Sequence, residues 1–458
     1  MRLSPATLAH LPPEITRFAY DRSAQQTGIV HFGIGAFHRA HQAWYTDLAM
    51  DGGARDWAIC GVSLRSPAVK AQHDPQSGLY SLTERGNERS ETRVIGAVRE
   101  VLFAGSEVKK IAERIASPAC HIASFTVTEK GYCRKADGSL DFALAETGFY
   151  PLLAAGLARR RTAGLGGLTL MSCDNLSHNG EVLSRLMREY LDAKAPDLTP
   201  WFEAECTRPS SMVDRIVPAA TEANLAEAKV ILGMRDEAAV IAESFSQWVI
   251  EDRFAGPRPR WEDHGAQIAG DVAPYETAKL RMLNGAHSAL AYIGLERGYE
   301  FVHQAIADPE LCALVEQIIR REAATSFTPA PGQDLAAYAD AVLARFANPA
   351  LNHRLAQIAM DGSEKVPQRW LPVLAFHQAQ GRSCPATLTA LAAWMRHICG
   401  DARPVDDPKA DELAALWRSE GEDRIAAALF GEGGMFAAHW RAVDDALKAL
   451  TAKLGERI

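Results

Sequence analysis

The stretch IVHFGIGAFHRAHQAWYTDLAM, residues 29–50, decides the fold class. A short apolar run ends in G-I-G, with glycines at 33 and 35, and passes into a helix-like segment. In a dinucleotide-binding turn, the first glycine permits the tight turn. The second lets backbone N–H groups approach a pyrophosphate at the start of a helix. The third glycine of that pattern is replaced by His38, which predicts looser packing of helix on strand and not the loss of phosphate binding.

Further short runs rich in Val, Ile, Thr and Phe alternate with amphipathic stretches through the first half of the chain. This alternation is typical of a parallel sheet with both faces covered, and it predicts an α/β Rossmann-type N-terminal domain. The strand candidates are GIVHFGIG (28–35), WAICGVSL (57–64), ETRVIG (91–96), HIASFTVT (121–128) and LTLMSC (168–173).

From about residue 275 the chain reads as successive helices with breaks at Pro and Gly, which predicts a mostly α-helical C-terminal domain. We place the dinucleotide-binding core at 1–204 and the C-terminal domain at 205–458, with a structural boundary expected near 270. In 205–270, SMVDRIVP and FSQWVIEDRF are candidates for extra strands attached to the sheet.

Composition narrows the class of protein. A formal net charge of −8 gives no reason to expect a nucleic acid or an anionic membrane as partner. The N-terminus lacks the apolar core of a secretory signal, and no run is long enough for a membrane span. The eight cysteines are scattered without a C-x-x-C pair, as expected of reduced thiols. These features predict a cytoplasmic protein that acts on a small molecule.

Polar residues follow two later strand candidates. TEKGY places Thr128 and Glu129 after one strand, and SCDN places Asp174 and Asn175 after the next. Since ligands of doubly wound sheets bind at the carboxyl ends of the strands, these residues and the glycine turn are expected at one crevice.

The segment KLRMLNGAHSAL (279–290) carries the candidate chemistry. At 100° per residue of a regular α-helix, Lys279, Asn284 and His287 lie within an arc of about 140°. Alone, the three residues are more typical of a surface lysine, a helical asparagine and a hydrogen-bonded histidine than of a catalytic site. Beside a nicotinamide site they suit alcohol oxidation. A lysine whose pKa is lowered by burial can serve as base, and amides can hydrogen-bond an alkoxide. The chain contains no H-E-x-x-H and no clustered Cys/His set, so no metal site is predicted.

Two other readings of the chain are open to test. Ser177, Tyr190 and Lys194 match the Tyr-x-x-x-Lys pattern, with an upstream Ser, of short-chain dehydrogenases. That motif is short enough to arise by chance, and a large helical domain has no place in that family. A dinucleotide-binding sensor without catalysis would need no base facing the nicotinamide, so the Lys279 set argues against it.

Seven stretches together resemble the long-chain polyol-specific dehydrogenases, a family that includes mannitol 2-dehydrogenase, arabinitol dehydrogenase and fructuronate reductase. They run in order from about residue 28 to residue 370: GIGAFHRAHQA, TVTEKGYC, MSCDN, SMVDRIVPAAT, QWVIEDRF, KLRMLNGAHS and QIAMDGSEKVPQR. The resemblance implies zinc-independent NAD(H) chemistry on a Rossmann-type domain joined to a helical one, in a protein that is a monomer or weak oligomer.

The resemblance also implies roles for particular residues. Lys279 would be the general base, with Asn175 and Asn284 stabilising the alkoxide. The other implied roles are His287 and Asp214 binding substrate hydroxyls, Lys365 as a further substrate contact, and Glu276 relaying the proton. The expected cofactor-binding residues are Gly33, Gly35, Ala36, Phe37, His38, Arg65, Thr128 and Glu129. His38 and His41 are expected to pack near the cofactor without titrating.

Substrate and cofactor preference depend on single positions. Mannitol-type members usually carry an arginine four positions before the aspartate of DGS, where this chain has Gln357. This favours D-fructuronate/D-mannonate over fructose/mannitol or arabinitol. The carboxylate of a hexuronate requires a cation, for which Arg354, Lys365 and Arg369 are candidates. The loop after the second strand contains Arg65 but no acid, so NAD is expected and NADP is left open.

Overall fold

The computed structural model of the protein describes residues 1–86 and 89–456. It divides into two compact units, Met1–Val272 and a second that begins at Ala273. The first unit contains the following strands, numbered in chain order: β1 Thr16–Arg17, β2 Thr27–Phe32, β3 Ala58–Ser63, β4 Tyr80–Arg85, β5 Ser90–Ile95, β6 Val98–Phe103, β7 Ile122–Phe125, β8 Thr169–Ser172, β9 Ser211–Asp214, β10 Val240–Glu243, β11 Gln247–Glu251 and β12 Gln267–Ala269.

The central sheet of the first unit is parallel throughout and has the order β6-β3-β2-β7-β8. The chain moves from β2 outward to β3 and β6, then returns to β7 and β8 on the other side. This is the Rossmann order, and it reverses between β2 and β7. The carboxyl ends of these two strands therefore border the crevice in which such sheets bind ligands. The predicted fold class of this half is confirmed.

Helices cover both faces of this sheet, as its continuous apolar strands require. Val30 and Phe32 of β2 pack in one cluster with helix residues such as Leu153, while Ile29 packs in the cluster on the opposite face. The α-helices of the first unit are Ala36–Ala40, Gln42–Asp51, Ala68–His73, Val108–Ile115, Thr128–Gly131, Phe142–Ala145, Tyr150–Thr162, Asn179–Lys194, Thr199–Glu205 and Glu222–Leu232, with 3-10 turns at Pro5–His10, Asp74–Gln76, Pro196–Leu198 and Trp261–His264.

One predicted strand belongs to a different sheet. ETRVIG forms β5, which is antiparallel to β4 in a sheet of order β1-β5-β4-β10. The third strand of the Rossmann sheet is β6, which the sequence analysis omitted. Its Arg99 and Glu100 made it look unlike a buried strand, but β6 lies at the sheet edge, where charged side chains reach solvent. Glu100 is paired there with Lys110 and Arg114.

The candidates in 205–270 are strands, but they form a separate sheet. SMVDRIVP and FSQWVIEDRF supply β9 and β11, which pair antiparallel, and β12 completes the order β12-β11-β9. This segment still touches the Rossmann sheet, through a parallel bridge between Thr207 and Thr169 of β8. The strand prediction is thus confirmed, but these strands pair with one another in their own sheet and are not members of the main one.

The second unit is helical, as predicted. Its central helix, Gly285–Glu296, is buried along most of its length and packs against Pro385–Ile398. The α-helices are Ala273–Ala278, Gly285–Glu296, Val302–Ile306, Pro309–Gln317, Leu335–Phe346, Leu355–Ile358, Gly362–Arg369, Leu371–Gln378, Pro385–Ile398, Ala410–Phe430 (kinked at Gly421) and Asp444–Gly455. Lys279–Asn284 and Ile318–Ala323 are π-helical, and Pro349–Leu351 is a 3-10 turn.

Candidate active site

The glycine turn, residues 33–35, follows β2 directly and is held by the strands on either side. Gly33 has φ +89°, and a Cβ there would lie 2.2 Å from the Thr126 carbonyl oxygen, so only glycine fits. Its N–H donates to Val62 O of β3 at 2.9 Å. Its carbonyl accepts from Thr126 Oγ1 at 2.7 Å and from Gly35 N at 2.6 Å.

The other end of the turn is open. A Cβ at Gly35 would meet no atom closer than 3.8 Å, and Gly35 is exposed. The helix Ala36–Ala40 starts here, and its first bond to Gly35 O is donated by Arg39 N at 3.3 Å. The N–H groups of Ala36, Phe37 and His38 therefore precede the helical hydrogen bonds. The turn is held in place, has space beside it, and is followed by N–H groups that make no intrahelical hydrogen bond. Such a site fits the phosphates of a dinucleotide.

Asp174, predicted as a polar group facing the crevice, instead joins two strand ends. Its buried carboxylate accepts from Val127 N at 3.0 Å, Thr128 N at 2.8 Å and Tyr132 Oη at 3.0 Å. The residue after β8 is thereby tied to the segment after β7. Three predicted site residues are exposed next to these hydrogen bonds of Asp174: Asn175, Thr128 and Glu129.

The predicted helix after the glycine turn is broken at His41, whose backbone is non-helical. The His41 ring packs on Phe37 and against the edge of Trp248. His38 is fully buried, and burial lowers its pKa well below the usual value. Both histidines are thus core residues beside the turn.

His31, which was not among the predicted site residues, lies inside β2 and is fully buried. Its ring stacks on that of His38, with centroids 3.4 Å apart. A histidine in a strand buried on both faces is the available signal, because a buried polar ring requires hydrogen-bond partners.

The remaining predicted residues of the first unit lie at other strand ends. Arg65 is exposed in the loop after β3, which Ser63 Oγ closes by donating to Ser66 O at 2.6 Å. Asp214, 5% exposed, is the last residue of β9.

The lysine segment, residues 276–288 of the second unit, is not a regular α-helix. Between Ala273–Ala278 and Gly285–Glu296 it passes through a π-helix, in which Gly285 N–H donates to Leu280 O, five residues back. Five residues advance about 1.4 turns of an α-helix. Because a π-turn takes up more residues, Asn284 is displaced back toward the face that carries Lys279. The arc of about 140° expected from α-helical spacing is therefore too wide.

Burial differs among the predicted residues of the lysine segment. Lys279 and His287 are each 8% exposed, and Asn284 and Glu276 are half-buried. The His287 ring lies 4.6 Å from Phe346. Burial first, and then nearby His353 and Arg345, lower its pKa well below the usual value. His287 is therefore a neutral imidazole at physiological pH.

Two side chains of another helix end bind the carbonyls that follow the π-turn. Arg369 Nη1 donates to Asn284 O at 3.2 Å and to Ser288 Oγ at 2.7 Å. Trp370 Nε1 donates to Gly285 O at 3.0 Å. These bonds fix the point where the π-helix returns to α-helix.

The three candidate cations differ in their partners. Arg354 has a side chain 65% exposed and pairs with Glu300 at 3.0 Å. Lys365 Nζ donates to the carbonyls of Met360 and Ile358. Arg369 has no carboxylate partner within residues 1–86 and 89–456, and burial lowers its pKa to about 10.

The Ser-Tyr-Lys pattern of short-chain dehydrogenases lies elsewhere in the first unit. Tyr190 is 4% exposed and packs on Tyr150 in the core, while Lys194 pairs with Glu146 at 2.5 Å. Both side chains have structural surroundings that account for them.

Metal-ligand groups and membrane-spanning helices are both absent from residues 1–86 and 89–456. No three His, Cys, Asp or Glu side chains in this part of the chain are grouped as metal ligands would be. None of its helices is both long and apolar enough to cross a membrane.

The Rossmann order, the glycine turn and the buried lysine together define a dehydrogenase-type architecture. Family models for the mannitol dehydrogenase Rossmann domain and the mannitol dehydrogenase C-terminal domain match residues 27–263 and 271–456. The chain belongs to the mannitol dehydrogenase family of oxidoreductases.

Individual relatives agree with this assignment. The chain is 39% identical to D-mannonate oxidoreductase of Escherichia coli, over 96% of this chain and 94% of that protein. It is 36% identical to a mannitol 2-dehydrogenase of Phaeosphaeria nodorum, over 90% and 78%. The structure of Pseudomonas fluorescens mannitol 2-dehydrogenase in ternary complex with NAD and D-mannitol superposes with a TM-score of 0.83 at 34% identity, covering 99% of this chain and 96% of that one.

Proposed function

We propose that the protein interconverts D-mannonate and D-fructuronate with NAD(H), as a zinc-independent secondary-alcohol dehydrogenase. The observation that carries the proposal is the lysine segment, where a buried lysine and an arginine with no carboxylate partner among the described residues adjoin one π-turn. Membership of the mannitol dehydrogenase family and the likeness to a mannonate oxidoreductase support it.

The first unit supplies the cofactor site in this proposal. NAD, when bound, supplies the hydride acceptor. Gly33 and Gly35 shape the turn, and backbone N–H groups of Ala36, Phe37 and His38 bind its phosphates. Thr128 and Glu129 border the crevice from β7, and Arg65 does so from β3. The loop with Arg65 has no acid for the ribose hydroxyls, so preference between NAD and NADP is a measured outcome of the assay below.

Proton transfer is assigned to the lysine segment. Lys279 Nζ takes the substrate hydroxyl proton during oxidation and returns it during reduction, and Glu276, one turn earlier, passes that proton to solvent. Asn284 and Asn175 donate N–H groups to the alkoxide without adding charge. His287, neutral because it is buried, binds a substrate hydroxyl together with Asp214 and Lys365.

The carboxylate of the substrate is assigned to Arg369. An arginine guanidinium has five N–H donors. The hydrogen bonds described above use Nη1 alone, which leaves Nε and Nη2 for a ligand. Arg354 is satisfied by Glu300, and Lys365 by backbone carbonyls. A half-buried guanidinium without an acidic partner suits a bidentate carboxylate.

Fructose/mannitol is the second candidate pair, because the superposed Pseudomonas structure contains D-mannitol. Arabinitol is a further polyol within the family. Gln357, which replaces the arginine of mannitol-type members, is exposed in the helix Leu355–Ile358.

The test is an absorbance assay of nicotinamide oxidation with the full chain. NADH and NADPH are each offered with D-fructuronate, D-fructose and a panel of other ketoses, and kcat/KM values are compared. If the enzyme binds the substrate carboxylate, kcat/KM should be at least about 100-fold higher for fructuronate than for fructose. That result supports the sugar-acid assignment. Comparable or better turnover of fructose replaces it with mannitol 2-dehydrogenase activity. No turnover of any ketose with either nucleotide contradicts the whole proposal.

A further inference from the structure

His31 has no part in the chemistry proposed above, although it is fully buried behind the glycine turn. Its Nδ1 lies 2.8 Å from Ser124 Oγ, and its Nε2 lies 2.8 Å from Thr126 Oγ1. Both hydroxyls belong to the β7 side, since His31 and Ser124 are register partners of β2 and β7. The ring therefore bridges the two strands between which the sheet order reverses.

The Thr126 hydroxyl connects this ring to the turn. Thr126 Oγ1 donates its only proton to Gly33 O at 2.7 Å. Toward His31 it must then accept, so His31 Nε2 carries the proton of that bond. Because the His31 N–H occupies the acceptor side of the Thr126 oxygen, the Thr126 proton is directed at the Gly33 carbonyl.

The donors and acceptors of the remaining hydrogen bonds follow from the number of protons that Ser124, Gln42 and His31 can donate. Ser124 Oγ lies 2.7 Å from Gln42 Oε1, and donation there would force His31 to donate from both nitrogens. No acidic side chain of the described residues acts on the His31 ring, and burial lowers its pKa to about 3, so the ring is neutral.

Reversal of the Gln42 amide, whose Nε2 otherwise has no hydrogen-bond partner among the described residues, removes the conflict. Gln42 then donates to Ser124, and Ser124 donates to His31 Nδ1. His31 Nε2–H donates to Thr126, and Thr126 donates to Gly33 O. Either amide orientation ends on the same Thr126–Gly33 bond.

The stack with His38 completes the arrangement. The His38 ring lies face to face with that of His31 at 3.4 Å and 15°. One imidazole thus supports the turn through Thr126 and the following helix through the stack.

We propose that His31, acting through the Thr126 hydroxyl, is a positioning residue that holds the Gly33 peptide in the form that binds a dinucleotide. This inference rests on the proposed cofactor site. It assigns His31 no contact with the cofactor itself.

The experiment measures the Kd for NADH by quenching of tryptophan fluorescence in the full chain, with thermal melting of each variant. Thr126→Val removes the hydroxyl at constant shape, and the Kd is expected to rise about five- to tenfold, the size of one lost hydrogen bond. His31→Phe keeps a stacking ring but neither bond, and the same rise is expected. Thr126→Ser restores the donor, so its Kd should lie within about twofold of the wild-type value. In turnover, the loss should fall on KM for NADH more than on kcat.

The matched control is Thr83→Val. Thr83 Oγ1 makes a hydroxyl pair with Thr92 at 3.0 Å in the sheet of β4 and β5, and it is 4% exposed. It should lower the melting temperature as Thr126→Val does, without changing the Kd. If Thr126→Val binds NADH as tightly as wild type, the inference is wrong while the cofactor assignment stands. If the wild-type chain binds neither NADH nor NADPH, the cofactor assignment fails and this inference fails with it. Should His31→Phe not fold, the Thr126 pair decides the matter alone.

Discussion

The glycine turn and the lysine segment are built by opposite means. The turn is assembled from residues far apart in the chain, because Val62, Thr126 and Gly33 meet only when parallel strands pair. The lysine segment is one continuous stretch whose polar residues are brought into line by a local change of helical register. In the first case sheet topology sets the geometry, and in the second a single π-turn does.

This difference predicts a division of effects. Substitutions in the glycine turn should change cofactor affinity. Substitutions in the lysine segment should change the rate of the chemical step or the selectivity between substrates. A variant of either region that shows the effect of the other would break the comparison.

The largest effect is expected from Lys279→Ala. Loss of a positioned general base lowers kcat by about 10²–10⁴-fold, while the Kd for NADH should be unchanged because the turn is intact. Steady-state assay and fluorescence titration measure the two quantities on the same preparation. Lys229→Ala, on an exposed helix position of the first unit, is the control for losing a lysine. Partial recovery of turnover by added primary amines would identify the missing group as the base. Near wild-type turnover in folded Lys279→Ala would refute the assignment.

Arg369→Gln should separate two substrates. The loss of charge-assisted bonds to a carboxylate is expected to lower kcat/KM for fructuronate by about 50-fold, with a much smaller change for fructose. The ratio of the two kcat/KM values is the measurement. An equal fall for both substrates would mean that Arg369 acts only by fixing Asn284 and Ser288. Arg354→Gln is the matched comparison, because a shift of the ratio there instead would assign the carboxylate to the arginine paired with Glu300.

The two glycines of the turn should differ from each other. Gly35→Ala has room in the folded protein, with no atom within 3.8 Å of the new Cβ, so the melting temperature should not change. The methyl group stands where the backbone approaches the phosphates, so the Kd for NADH should rise by about tenfold. Gly33→Ala combines a φ of +89° with a clash at Thr126 O, and should cost about 2 kcal/mol of stability besides. Normal NADH binding by Gly35→Ala would move the cofactor away from this turn.

The contrast also explains what could be predicted from the sequence. The strands β2 and β7 were identified because a strand buried on both faces consists of a nearly continuous run of apolar residues, which is visible in the sequence. The edge strand β6 was omitted because its charges are solvated at the edge. Likewise, G-x-G marked the turn, but the role of the His31 ring behind it was not recognised, because its partners Ser124 and Thr126 come from the neighbouring strand β7 and the segment after it, 93 and 95 residues along the chain.

For the lysine segment, the residues were predicted from the sequence but their relative orientation was not. The residues of the predicted trio are read directly from the chain, but their angular spacing was taken from a regular α-helix. No residue in KLRMLN breaks a helix, and the π-turn is stabilised by tertiary bonds from Arg369 and Trp370. Asp174 was misjudged in a similar way, because a carboxylate at a strand end is equally able to bind a ligand or to cap the neighbouring strand's backbone.

The smallest expected effect is on the pH dependence of folding stability, to which a buried imidazole of each region contributes. Burial lowers the pKa of His31 to about 3 and that of His287 well below its usual value, whereas in the unfolded chain each takes up a proton near pH 6.5. The unfolded state therefore binds more protons as the pH falls below about 6.5, so stability declines toward the folded-state pKa values. His31 therefore contributes on the order of 1 kcal/mol to the loss of stability between pH 7.5 and 5.5, and His287 contributes in the same direction.

His31→Phe and His287→Phe should each reduce that loss, which is measured as the difference in unfolding free energy between the two pH values. His10→Gln, at an exposed position, is the control for removing a surface imidazole. A reduction in only one of the two variants would mean that the other imidazole is charged in the folded protein. For His31 that outcome would replace the neutral chain of hydrogen bonds with an imidazolium that donates to both Ser124 and Thr126. The Thr126–Gly33 bond would survive, but the Gln42 amide would keep its oxygen toward Ser124, and the turn would be held by a charge.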